Sequence, residues 1–249
     1  MTLAASSDRA SGMPTAAWNV PKHGPLEELA KGLYAVEAEL RGPPIGRRMT
    51  LMRLSDGSLV AHSVVACDEP TMRAIDALGP VRFIVVPSSS HRLDAPAWKA
   101  RYPSAKVVAP AKAAERVEKA VALDGDYSLL PADPALSSQI MEGAEGEGVF
   151  VHRDPDGKVS LVFNDVFMNL PDKLPGFQGF LVGVLGSTGG PKVTGIAKMF
   201  VVRDKARCAA HLRRLSELEG LSRIVPGHGA VVTHDASRTL RAVADELHA

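Results

Sequence analysis

The chain has 249 residues, 45% of them hydrophobic and 23% charged, a globular composition that excludes disorder and fibrous architectures. Lys and Arg number 29 against 28 Asp and Glu, a net charge of +1 with no long run of either sign, so bulk electrostatics gives no ground for binding nucleic acid or a membrane surface. Apolar runs such as Phe83 to Pro87 are far short of the roughly 20 residues that span a bilayer.

Residues 1–25 read as a flexible polar N-terminal segment with no secretory signal, and 26–249 as a single domain. The cysteines Cys67 and Cys208 lie far apart, which suits a reducing compartment and a cytoplasmic location. Gly32 to Glu39 predicts a strand. Arg48 to Leu54 and Leu59 to Val65 predict a hairpin around Ser55-Asp56-Gly57-Ser58. Asp68-Glu69-Pro70 opens a helix whose Met72, Ile75 and Leu78 share one face, and Gly79-Pro80 ends it. Val81 to Pro87 is a buried strand, followed by the polar segment Ser88 to Asp94 and a helix from Ala95 to Tyr102. A short strand at Lys106 to Ala109 and a helix at Ala111 to Ala122 come next, and residues 123–148 read as loop.

Gly148 to Arg153 and Lys158 to Asn164 flank Asp154-Pro155-Asp156-Gly157 as a second hairpin. Residues 170–198, rich in Pro and Gly, read as an irregular excursion, either a substrate-covering loop or the contact of a homodimer. Asp204 caps a helix from Lys205 to Leu218. Arg223 to Pro226 is a strand, Gly227-His228-Gly229 a tight turn, and Ala236 to Leu247 the closing helix. Two sheets packed between helices follow from this order.

Layered α/β folds build their sites where strands stop. Three predicted strands end in a metal-binding residue type: His91 after Phe83 to Pro87, Asp165 after Leu161-Val162-Phe163-Asn164, and His228 within Pro226-Gly227-His228-Gly229. Each has a plainer alternative: a helix cap for His91, a turn cap for Asp165, a backbone hydrogen bond for His228. His23, His152, His211, His234 and His248 are expected to face solvent. Ser88 to Ser90 lack the Gly-x-Ser-x-Gly setting of a serine nucleophile.

With these motifs in order, residues 30 to 245 resemble the metallo-β-lactamase superfamily, whose chain runs from a His-x-His-x-Asp-His loop through a bridging Asp to a final Gly-His. The resemblance implies an α/β (α+β) fold, a four-layer αββα sandwich. Ser88, Ser90, Arg92 and Leu93 stand where that loop has ligands; a shift of one residue sets His91 on its second His and Asp94 on its last. The chain is most similar to an uncharacterised branch in which a His-Ser pair, here His62-Ser63, follows the early strand and a Glu, here Glu147, precedes a strand ending in His152-Arg153.

The resemblance thus implies one divalent metal, Zn²⁺ or alternatively Fe²⁺ or Mn²⁺, held by His91, Asp165 and His228 with His62 and Glu147. It implies a hydrolase that acidifies water for attack on an ester, lactone or amide carbonyl, with Asp165 orienting the water. Arg92 and Asp94 are the candidate substrate-binding residues. Arg92 also opens an alternative: a guanidinium paired with Asp165 or Asp94 makes a metal-free binding or scaffold protein that keeps the fold.

Overall fold

The computed structural model describes residues 17–248 apart from 41 and 43. Period-two alternation sets the architecture. Within β5 (Val81–Val85), Phe83 and Val85 face one core layer and Ile84 another. Strands β3 (Gly46–Arg53) and β4 (Leu59–His62) repeat this, Met52 and Val60 joining Phe83 while Leu51 and Ala61 join Ile84. Strands apolar on both faces must be covered on both.

The first sheet has the order β1 (Glu27–Ala30), β2 (Leu33–Glu39), β3, β4, β5, β6 (Lys106–Val108), antiparallel as far as β4 and parallel from β4 to β6. Helices α1 (Glu69–Leu78) and α2 (Ala95–Arg101) cover its outer face with Met72, Ile75 and Trp98, beside the short α3 (Ala114–Val117). Asp68 caps α1, accepting from Thr71 N at 2.9 Å.

The second sheet has the order β12 (Leu221–Val225), β9 (Val159–Val162), β8 (Gly148–Arg153), β7 (Leu136–Ile140). Its Phe150, Val162 and Val225 meet the first sheet, while Val149, Leu161 and Ile224 meet α6 (Lys205–Ser216) and α7 (Ala236–His248). Three core layers between helix, sheet, sheet and helix make the αββα sandwich. Among the described residues no helix is long and apolar enough to cross a membrane.

Some expectations need correction. The region read as loop contains β7, an edge strand with a polar, partly exposed Leu-Ser-Ser-Gln-Ile sequence that lacks the usual strand signal. The irregular excursion contains α4 (Gly176–Val184) and α5 (Gly195–Phe200), besides a two-stranded sheet of β10 (Met168–Leu170) and β11 (Gly190–Lys192). Glycine weakens helix propensity, yet in α4 the bare Gly179 is what lets the helix pass against Leu174. Residues 1–16 of the segment expected to be flexible lie outside the described residues. Residues 17–25 pack on the first sheet and its helices: Trp18 stacks on Trp98 and donates to Cys67 O at 2.8 Å, and Gly24 N donates to Glu37 O at 2.8 Å.

Candidate metal centre

Parallel strands place the site. β4 runs beside β5 and β9 beside β12, with His62 level with Val85 and Val162 level with Val225. Loops leaving the carboxyl ends of such strands open a crevice between layers. Those after β5, β9 and β12 bring together His91, Asp165 and His228, whose ligand-type atoms all lie within 4.8 Å of one another. Asp165 Oδ1 is 3.0 Å from His91 Nε2 and 3.1 Å from His228 Nε2, and those two nitrogens are 3.3 Å apart.

The far nitrogen of each ring is anchored. His228 Nδ1 donates to Gly46 O at 2.6 Å. A carbonyl only accepts, so the hydrogen sits on Nδ1 and the neutral ring presents a lone pair at Nε2. His91 Nδ1 lies 2.8 Å from Ser63 Oγ. Ser63 holds φ of 54°, a left-handed conformation uncommon for a residue with a side chain and typical of functional sites. Arg48 fastens the turn bearing His228: its Nη1 donates to Pro226 O at 2.6 Å and its Nη2 to Gly229 O at 2.8 Å, with Glu37 closing an ion pair.

Burial alone would push the Asp165 carboxyl up, but His91 and His228 hold it well below the usual carboxylate range. For His228 burial is the largest influence and opposes the charged ring, but the hydrogen bond and charge of Asp165 together with the Gly46 carbonyl outweigh it, so its pKa is raised. Electron-pair atoms this close repel unless something positive lies among them, a proton on an imidazole or a cation. Tetrahedral Zn²⁺, with bonds of about 2.0–2.2 Å, spaces its ligands about 3.3–3.6 Å apart. The separations here, 3.0, 3.1 and 3.3 Å, run from the lower end of that spacing to about 0.3 Å below it. Two anchored imidazoles and a carboxylate fit one divalent ion with a position open for water or substrate.

The other candidates stand elsewhere. Alternation along β4 sends His62 into the inter-sheet layer with Val60, its ring 5.4 Å from that of Phe150, outside the three-residue cluster. Neither of its ring nitrogens has a partner, and burial pushes its pKa down to about 3. Glu147 is also outside the cluster. Its buried carboxylate accepts from Asn164 Nδ2 at 3.0 Å and Val166 N at 2.9 Å, bracing Asp165 from both sequence neighbours. Burial and the Asp165 charge push Glu147 well above its ordinary pKa.

Arg92 pairs with neither Asp165 nor Asp94; it turns away and donates to Arg116 O. Asp94 is buried and bonded to Arg47 Nη2 at 2.5 Å and to Ala66 N at 3.2 Å, which gives it a structural task rather than a substrate-binding one. His152 and His211, expected to face solvent, are buried and His23 is partly buried, whereas His234 and His248 are exposed. Sequence reasoning missed Gly46, Arg47 and Arg48. Their one signal was the arginine pair Arg47-Arg48 at the head of a strand that continues Met-Thr-Leu-Met.

The sequence matches no protein-family model and no curated protein. Solved structures do resemble it. DIM-1 metallo-β-lactamase superposes with a TM-score of 0.61 at 13% identity, over 92% of this chain and 99% of that one. A metallo-β-lactamase from Hirschia baltica gives 0.57 at 9% identity, over 89% and 98%. FIM-1 from Pseudomonas aeruginosa, in its mono-zinc form, gives 0.56 at 11% identity, over 92% and 98%. These overlaps span nearly the whole of each chain, and with the four layers and the order of elements they show that this protein has the metallo-β-lactamase fold.

Proposed function

We propose that the protein is a mononuclear metal-dependent hydrolase of a small ester, lactone or amide, its ion held by His91, Asp165 and His228. The carrying observation is the convergence of two anchored imidazoles and an ionised carboxylate at 3.0–3.3 Å, at one end of a cavity. The mono-zinc form of FIM-1 supports a single ion on this fold.

When bound, a divalent ion there supplies Lewis acidity, polarising a carbonyl and acidifying water. The chain's own residues supply position. Gly46 and Ser63 hold the two rings, and Glu147 holds the loop bearing Asp165. Asp165, kept ionised by its imidazole neighbours, orients a water. In the net reaction the water oxygen bonds to the carbonyl carbon, the bond to the leaving oxygen or nitrogen breaks, and that atom takes a proton.

The test is hydrolysis of p-nitrophenyl acetate and butyrate. Chelator should abolish turnover and zinc restore it. Asp165→Asn should lower kcat/KM by about 100-fold or more while the folded signal in circular dichroism persists. Turnover that survives both chelator and Asp165→Asn would overturn the reading.

A further inference from the structure

The cavity beside the cluster carries information about the substrate. It has a volume of about 490 Å³, within the range of small-molecule sites. His91, Asp165 and His228 line it together with three serines, Ser63, Ser90 and Ser187; the rest of the wall is mostly apolar, with Ile45, Met168, Leu170, Val182, Ile196 and Phe200 its larger side chains. One further charged side chain lines it, Arg47, and that guanidinium is buried and bonded to Asp94. A charged tail on a substrate would meet no free counter-charge along this wall, and would lose its hydration.

Much of the apolar wall belongs to the excursion between β10 and α5, which is tied to the cluster at its root. Asn169 N donates to His228 O at 3.2 Å and Ala230 N to Asn169 O at 2.9 Å. The rim is apolar as well. Leu93 and Phe200 line the cavity while each remains 65% exposed. Large apolar side chains left to water around a concave site mark a place where an apolar ligand is covered.

We propose that the site takes acyl compounds bearing a neutral hydrocarbon chain, the carbonyl at His91, Asp165 and His228 and the chain running past Met168, Leu170 and Val182 toward Phe200. This rests on the hydrolase reading for the fate of the carbonyl. Seating of the chain depends on the apolar wall and needs no ion.

Calorimetric titration with 2-pentanone, 2-heptanone and 2-nonanone tests it, on chelator-treated protein and again with zinc. Each added methylene should tighten binding about fourfold, so that 2-heptanone binds about 15-fold more tightly than 2-pentanone. Phe200→Ser and Leu93→Ser, at exposed positions that leave folding intact, should each weaken 2-nonanone at least about threefold. Ile196→Trp, filling the cavity, should remove the dependence on chain length, and Phe177→Ser, on the outer side of α4 away from the cavity wall, should leave it unchanged. Affinities that do not change with chain length in the wild-type protein would overturn the proposal. So would a dependence kept in Ile196→Trp and lost in Phe177→Ser, which would put the chain on the outside of α4. A full chain-length dependence without any zinc-dependent ester cleavage would uphold this inference and end the hydrolase reading.

Discussion

Arg48 holds the turn bearing His228, its bond to Pro226 O spanning 178 residues of sequence. Burial pushes its pKa down to about 10, which still leaves it charged at neutral pH. Arg48→Met would leave the carbonyls of Pro226 and Gly229 unsatisfied. It should cost about 2–4 kcal/mol in denaturant unfolding, and about tenfold in zinc affinity. Wild-type stability and affinity in that variant would contradict the role. His211 illustrates a different buried group. Its Nδ1 accepts from Glu142 N at 3.0 Å, its Nε2 lies 2.9 Å from Gln139 Oε1, and burial lowers its pKa. The unfolded chain binds a proton there at a higher pH than the folded one, so stability is full above the unfolded value of about 6.5 and falls as the pH drops below it. His211→Gln should flatten the decline of Tm between pH 6.5 and 4.5; an unchanged slope would remove His211 as its cause. Single residues were legible in unequal degree. His91, Asp165 and His228 each lie in the loop that follows a strand, a position that local pattern reveals. Arg48 and Glu147 act on distant segments, and a sequence pattern of short range carries no trace of that.

At the scale of elements, turns were legible because their chemistry is local. Asp56-Gly57 and Asp156-Gly157 centre the two hairpins, and both glycines adopt positive φ, 83° and 79°. The turn at Gly227-His228-Gly229 depends on the same freedom. Gly229 has φ of 86°, and any Cβ there would run into the Asn169 carbonyl. Gly229→Ala should therefore cost about 2 kcal/mol or more in denaturant unfolding and weaken zinc binding with it. A loss of a few tenths of a kcal/mol would show that the turn relaxes without strain. β7 and α4 were not legible, for opposite reasons. The edge strand β7 has few residues that must be apolar, and α4 carries three glycines in its span, of which Gly179 is needed for its close approach to Leu174.

For the whole molecule, the four layers were legible in the order of hairpins, strands and helices and in the family resemblance, and strands apolar on both faces, which need a cover on each side, are the physical reason for them. How the two sheets meet was harder to see. His62 and Glu147 were grouped with the ligands through the family resemblance, His62 as part of a His-Ser pair after an early strand and Glu147 as a Glu before a strand, yet alternation buries His62 between the sheets and hydrogen bonding turns Glu147 onto the Asp165 loop. The site exists only when the sheets are packed, because His91 comes from one and Asp165 and His228 from the other. The central claim is that these three residues hold one ion, and the most direct measurement is anomalous diffraction from a crystal of protein purified without chelator, paired with elemental analysis. One peak between His91, Asp165 and His228 at about one metal per chain, absent from His228→Ala, is the predicted result. Metal-free protein that takes up none on titration, or an unchanged peak in His228→Ala, would contradict it.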